Sequence, residues 1–239
     1  MDLNADLGEG FGTWRLGDDD ALLDLVTSAN VACGFHAGDA PTMRRICAAA
    51  VDRGVAVGAQ VGYRDLAGFG RRRIDYDLAE LRDELIYQIA ALDGFCRVAG
   101  SSVAYVKPHG ALYNTAMVDE GQASAVVASI VDYNPALPVL CLPGSALARL
   151  AAAAGLRVVA EGYVDRAYRE DGTLVPRREP GALLSTVDAM VAQALHLASS
   201  RSVESLCVHG DTPDAVAVAG HVRALLIGAG YSVAPFAPM

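Results

Sequence analysis

The sequence predicts an α/β chain folded as a single TIM-like β/α barrel, irregular in outline and built on seven or eight strands. Three observations carry that expectation. Short apolar segments alternate with stretches of helical period along the whole chain, no linker or compositional shift interrupts them, and long polar loops at 8–19, 61–76 and 162–184 each follow a predicted strand. Regular alternation implies parallel pairing with right-handed crossovers. Seven or eight βα units in 239 residues fit a barrel better than a doubly wound sheet. That sheet stays the alternative, because closure is not visible in a sequence.

In order, strands are expected at 2–7, 29–33, 55–60, 103–107, 137–142, 157–161 and 204–208, with 231–236 as a candidate eighth. Helices are expected at 20–27, 41–53, 77–99, 120–132, 145–154, 185–199 and 213–228. The clearest is 77–99, where Leu78, Leu81, Leu85, Ile86, Ile89, Leu92 and Phe95 fall three and four apart. In such folds the loops leaving the carboxyl ends of strands share one face, and ligands bind there.

Composition narrows the partners. Nineteen basic residues against 28 acidic ones give a formal charge of −9, and the only basic run is Arg71, Arg72 and Arg73. That excludes nucleic acid or an anionic membrane as the main partner. No apolar run approaches a membrane span, and the first residues show no basic-then-apolar leader, so a cytoplasmic protein is expected. The five cysteines, odd in number and without CxxC spacing, read as reduced, buried thiols.

Candidate chemistry gathers at strand exits. Asn4 and Asp6 lie two apart on the first strand and so share a face, and Glu9 opens the next loop. Inward polar residues are unexpected in a buried parallel strand, which points to function. Asn30 lies on the second strand, followed by His36 in a Gly-flanked loop and by Asp39 before Pro41, where an N-cap is the competing role. Lys107 and His109 follow the fourth strand; His209, Gly210, Asp211, Thr212 and Pro213 repeat the order of His36 to Pro41 after the last. His196 and His221 fall inside predicted helices and read as structural. The loops supply Tyr63, Arg71, Arg72, Asp165, Arg166 and Tyr168 as candidate substrate clamps, arginine forks being suited to carboxylate or phosphate. An ordered loop held by Asp65–Arg and Asp165–Arg pairs is the competing reading. Imidazoles and carboxylates converging this way permit a divalent metal that activates water, or a metal-free acid/base site. No HExxH, GxxxxGK[ST] or GxGxxG motif occurs.

Together, Asp2-Leu-Asn-Ala-Asp-Leu-Gly-Glu9, Ser28-Ala-Asn-Val-Ala-Cys-Gly-Phe-His-Ala-Gly-Asp39, Gly68-Phe-Gly-Arg-Arg72, Lys107-Pro-His-Gly-Ala-Leu-Tyr113, Asp165-Arg-Ala-Tyr168 and His209-Gly-Asp-Thr-Pro213 resemble the LamB/YcsF family nearly end to end. The family's members act as the A component of bacterial ATP-dependent 5-oxoprolinase. The resemblance implies the irregular β/α barrel of the glycoside hydrolase/deacetylase superfamily and the opening of the lactam 5-oxo-L-proline to L-glutamate. It also implies ATP as co-substrate and two partner subunits, B and C. Phosphorylating the unreactive lactam at its carbonyl oxygen would make it an electrophile for water, which explains the use of ATP. On this resemblance the catalytic set is Asp6, Glu9, His36, Lys107, His109, His209 and Asp211. Asn4, Asn30, Asp39, Gln60, Tyr63, Arg71, Arg72, Asp165, Arg166 and Tyr168 are expected to bind substrate, Lys107 and an arginine holding its carboxylate or a phosphate.

One position departs from the family pattern. Where Gly-Ala-His-Pro is usual after the third strand, this chain has Gly58-Ala-Gln60-Val61, and glutamine neither shuttles a proton nor ligates metal well. Either the position is inessential or the chain differs in substrate. A metal-dependent hydrolase or deacetylase, or a noncatalytic lactam-binding subunit, are the other readings. Lys107, the only lysine, is expected to be a selective target of amine reagents, protected by substrate.

Overall fold

In the computed structural model, which describes residues 1–177, 179–212 and 214–238, seven parallel strands close into a barrel in sequence order. The strands are β1 (Asp2–Leu7), β2 (Ser28–Ala32), β3 (Ala56–Val61), β4 (Tyr105–Pro108), β5 (Val139–Cys141), β6 (Val158–Tyr163) and β7 (Ser205–His209). Closure is made by β7 against β1, with Asp6 level with His209, so the doubly wound alternative falls. The helices α1 (Asp19–Leu23), α2 (Ala40–Asp52), α3 (Leu78–Val98), α4 (Gly110–Ala116), α5 (Glu120–Tyr133), α6 (Ala146–Ala153), α7 (Val187–Ser200) and α8 (Ala215–Gly228), with a 3-10 turn at Leu66–Gly68, complete the described elements.

Helix starts follow local chemistry. Asp18, Asp39, Asp77, Asp119, Ser145 and Thr186 each accept a backbone N–H from the first turn of the helix they precede. The expectation at Pro213 lies outside the described residues. Helix α4 is additional to the expected set, being short and opened by Gly110.

The expected strand at 231–236 does not form. A closed sheet has no free edge to accept it. The segment instead runs beneath the amino end of β1, where Ala234 N–H donates to the Met1 carbonyl at 3.2 Å. Phe236 then packs on the Tyr105 ring at 4.8 Å between centroids, and Ala237 is buried beside Ala56, Leu140 and Val159. The tail thus closes the end of the barrel opposite the strand exits.

Period-two alternation sorts the strand residues. Leu3, Ala5, Leu7, Val31, Val57, Val61, Val106, Leu206 and Val208 join the apolar layer under the helices. The opposite faces put Asn4, Asp6, Asn30, Gln60, Lys107, Glu161 and Ser205 inside, all buried. Polar groups this deep must bond one another. Asn4 donates to Ser205 Oγ at 2.7 Å, Asn30 donates to Asn4 Oδ1 at 2.7 Å, and the Tyr105 hydroxyl donates to Asn30 Oδ1 at 2.6 Å. Tyr105 reaches across only because its register partner is Gly58, where a Cβ would lie 2.1 Å from the ring.

Candidate active site

Two linked clusters stand at the strand exits. The first surrounds Lys107, whose Nζ lies 3.1 Å from Asp6 Oδ1, 2.7 Å from Glu161 Oε1 and 3.2 Å from Cys207 Sγ. Asn30 also donates to Asp6 Oδ1, at 2.8 Å. Both tethers end on one oxygen, leaving Asp6 Oδ2 for a ligand or water. Burial works against charge on both partners. For Asp6 it is overcome first by the Lys107 ammonium and then by His209, so its pKa falls below the ordinary carboxylate value. For Lys107 it is overcome by Asp6, Cys207 and Glu161, which raise its pKa well above normal. Burial likewise pushes Cys207 well up, so it stays a thiol. The Tyr113 hydroxyl donates to Glu161 Oε2 at 3.0 Å, fixing the second carboxylate.

Next to it, His209 Nδ1 lies 2.8 Å from Asp165 Oδ2, which also accepts from the Thr212 hydroxyl at 2.7 Å. His209 and its neighbours bring Asp165 down to about 2 against burial. With Nδ1 engaged, Nε2 is the ring's working nitrogen. The ring stacks on Tyr163 at 5.1 Å, and its nitrogen, an Asp6 oxygen and Cys207 Sγ lie within 4.8 Å of one another.

The second cluster holds Glu9, His36, His109 and Gln60. Gln60 donates to Glu9 Oε1 at 3.2 Å and faces His36 Nε2 through its own oxygen at 3.1 Å, so His36 carries its proton on Nε2. Gln60 therefore has a place here, bridging an acid and an imidazole. Burial and the charges of Asp6 and Asp211 raise the Glu9 pKa well above the ordinary value. Burial lowers His36 to about 4, and lowers His109 well below normal. Gly70, at φ +64°, lets its loop lie over both rings, for a Cβ there would sit 2.8 Å from His36 Cβ and 2.9 Å from His109 Nδ1.

Both clusters contain metal-ligand residue types, and neither fits an ion. In the first, the Lys107 ammonium already stands between Asp6 and Cys207, and a second cation there would meet its charge at close range. In the second, the imidazoles stack at 4.0 Å between centroids with planes 13° apart. Lone pairs in parallel planes run side by side rather than converging on a tetrahedral or octahedral centre.

Other expected residues lie elsewhere. Asp39 caps α2 and accepts from Gly12 N–H at 2.9 Å. Tyr63 is buried against Tyr76 and donates to Gln122. Arg72 is largely exposed and pairs with Asp65, as the ordered-loop reading has it. The corresponding Asp165–Arg pair does not form among the described residues; Asp165 holds His209, and Arg166 donates to the Val175 carbonyl at 2.6 Å. The Tyr168 hydroxyl accepts from Tyr163 N–H at 2.6 Å, bracing the wall beside His209. Arg71 lies over the Phe69 ring and pairs with Asp211. His196 and His221 are exposed on α7 and α8. Glu161, offered by the sequence only as part of the 161–177 loop clamp, flanks Lys107 together with Cys207, and Tyr113 holds Glu161; the sequence singles out neither Tyr113 nor Cys207.

Lys107 is 2% exposed, which overturns its expected reactivity. An amine reagent added to the folded protein should label the Met1 amine alone. Mass spectrometry should show one adduct, and two after unfolding; a fast second adduct in the folded state would contradict this burial.

Burial of the imidazoles has a pH consequence. A histidine whose folded pKa is lowered contributes stability above its unfolded pKa, and the contribution is lost as pH falls from about 6.5 towards the folded value. With a folded value of about 4, His36 should account for about 3 kcal/mol of lost stability between pH 6.5 and 4. Urea midpoints at pH 7 and pH 4.5 should therefore differ less in His36→Gln than in the parent. Equal shifts would exclude His36 as the source.

Comparison with known proteins shows the family and the fold. The family model described as LamB/YcsF matches residues 1–239. The A component of 5-oxoprolinase from Streptomyces avermitilis is 58% identical, covering 99% of this chain and 100% of that one. Its namesake from Nocardia farcinica is 56% identical over 99% of each chain. A lactam utilization protein from Thermus thermophilus superposes with a TM-score of 0.93 at 39% identity, covering 99% of both chains. A family 4 carbohydrate esterase from Streptomyces lividans, at 14% identity and TM-score 0.51, covering 98% of this chain and 90% of its own, shares the fold. No helix among the described residues is long and apolar enough to cross a membrane.

Proposed function

This chain belongs to the LamB/YcsF family, and on that premise we propose that it is the lactam-opening component of an ATP-dependent 5-oxoprolinase, converting 5-oxo-L-proline to L-glutamate with subunits B and C. The observation that carries this reading is the environment of Asp6, a carboxylate kept ionised by a buried ammonium with one oxygen left open. A base of that kind accepts a proton from water while the water oxygen bonds to the lactam carbonyl carbon. His209 Nε2, held by Asp165 through the other nitrogen, gives a proton to the departing lactam nitrogen as the C–N bond breaks. Glu9, whose pKa burial and the charges of Asp6 and Asp211 raise well above the ordinary value, donates a hydrogen bond to the oxygens of the activated carbonyl, where negative charge gathers. Two carboxyl groups with pKa values driven apart divide the roles of base and acid.

ATP enters through the partner subunits: its terminal phosphoryl group moves to the lactam carbonyl oxygen and ADP leaves, the first water adds to that carbon, the C–N bond breaks to give an acyl phosphate and a free amine, and a second water releases phosphate and leaves glutamate. Lys107 acts through Asp6 and does not touch substrate. The reading uses no divalent ion at these residues, and protein purified without chelator should carry no stoichiometric zinc or manganese. It places the chain in the cytoplasm, which five buried, unpaired cysteines support. The test is reconstitution with the two partners and an assay of glutamate from 5-oxo-L-proline with and without ATP. Glutamate formed only with ATP and all three subunits supports the reading; none under any condition overturns it.

A further inference from the structure

We propose that Arg71 and Arg177 form an anion subsite at the rim of the barrel, in which Asp211 stands in for the carboxylate of an incoming substrate. The proposal rests on the lactam reading for the substrate's identity, and on geometry for the subsite itself. Arg71 Nη2 and Arg177 Nη1 converge on one oxygen, Asp211 Oδ2, at 2.5 and 3.4 Å. One carboxylate between two guanidinium groups leaves positive charge over, and a grip on one oxygen leaves donors of both forks unused.

Those spare donors are visible. Arg177 Nη2 is buried without an acceptor among the described residues, and so is Nε of Arg166, itself a buried side chain whose guanidinium feels the charge of Arg177. Buried donors left unmade are costly, and a site that awaits an anion explains both. The location suits the chemistry. Asp211 follows His209 by two residues, and the Arg71 charge reaches Glu9, His36 and His109. In 5-oxoproline the carboxylate and the lactam carbonyl flank the same N–Cα pair, so a carboxylate held here places the scissile bond towards His209 and Asp6. A phosphoryl group offers related oxygens, but the anion already resident is a planar carboxylate.

The test is calorimetric binding to the chain, alone and assembled with its partner subunits, of 5-oxo-L-proline and of pyrrolidin-2-one, the same ring without the carboxylate. Arg177→Met should weaken 5-oxo-L-proline about 10- to 100-fold and leave pyrrolidin-2-one unchanged. Arg177→Lys, which keeps the charge and loses the fork, should fall between, and decides the matter if the methionine variant does not fold. Unchanged binding of 5-oxo-L-proline, or equal weakening of both rings, overturns the subsite while leaving the lactam reading intact. Inorganic phosphate displacing 5-oxo-L-proline far more effectively than glutarate overturns the carboxylate assignment. Binding of neither ring, with glutarate bound in an Arg177-dependent way, supports the subsite and overturns the lactam reading.

Discussion

Asp6→Asn, assembled with its partner subunits, is expected to release glutamate about 10²- to 10⁴-fold more slowly than the parent, the range of a lost general base. The amide oxygen can still accept from Lys107 and Asn30 at the place of Oδ1, so the fold should survive and 5-oxo-L-proline should still bind. The measurement is kcat beside KM, since loss of a base lowers kcat. Turnover within a few-fold of the parent would remove Asp6 from the chemistry and leave the chain as a lactam-binding component.

Lys107→Met should cost about 3–5 kcal/mol of stability, the usual penalty for removing one partner of a buried ion pair. Here the variant strands two carboxylates, Asp6 and Glu161. Adding Glu161→Gln should recover part of that loss without recovering activity, because Asp6 would still lack the cation that keeps it ionised. Denaturant unfolding of the two variants checks the first statement, and the pH profile of any residual turnover checks the second. The acid limb of that profile should move upward as the Asp6 pKa rises. A doubly substituted chain with normal turnover would show that Lys107 serves only the fold.

The barrel is legible because its strands carry their own punctuation, and β1 shows how far that extends. Asn4 and Asp6 at a spacing of two are polar where a buried parallel strand should be apolar, and both point inside. The same rule applied to β6 finds Glu161, two residues beyond Val159 and two before Tyr163, but only once the strand is known to run on to Tyr163 rather than stop at 161. Lys107 stands out in the sequence while its role does not, since no local pattern shows that a side chain points across a barrel at three other strands. Asp39 before Pro41 already reads as a helix cap in the sequence, and it is one; Tyr63 carries the right residue type in the right loop, and only tertiary contacts reveal that it packs behind the wall. Gln60 reads as a departure, and its bridge between Glu9 and His36 depends on residues far away in sequence. The alternating pattern at 231–236 is that of a strand, but a ring with no edge cannot admit one.

The seam between β1 and β7 sets a schedule for the molecule's birth. Asn4 meets Ser205 across 201 residues, so at about 5–20 residues per second the first strand waits roughly 10–40 s on the ribosome for its neighbour. During that time its edge is unpaired and its apolar face, Leu3, Ala5 and Leu7, has only part of its cover. Asp6 shares its rung with His209, so no nascent fragment ending before β7 holds a complete site. The chemistry switches on with closure, and the interval before it is when this chain most needs a chaperone.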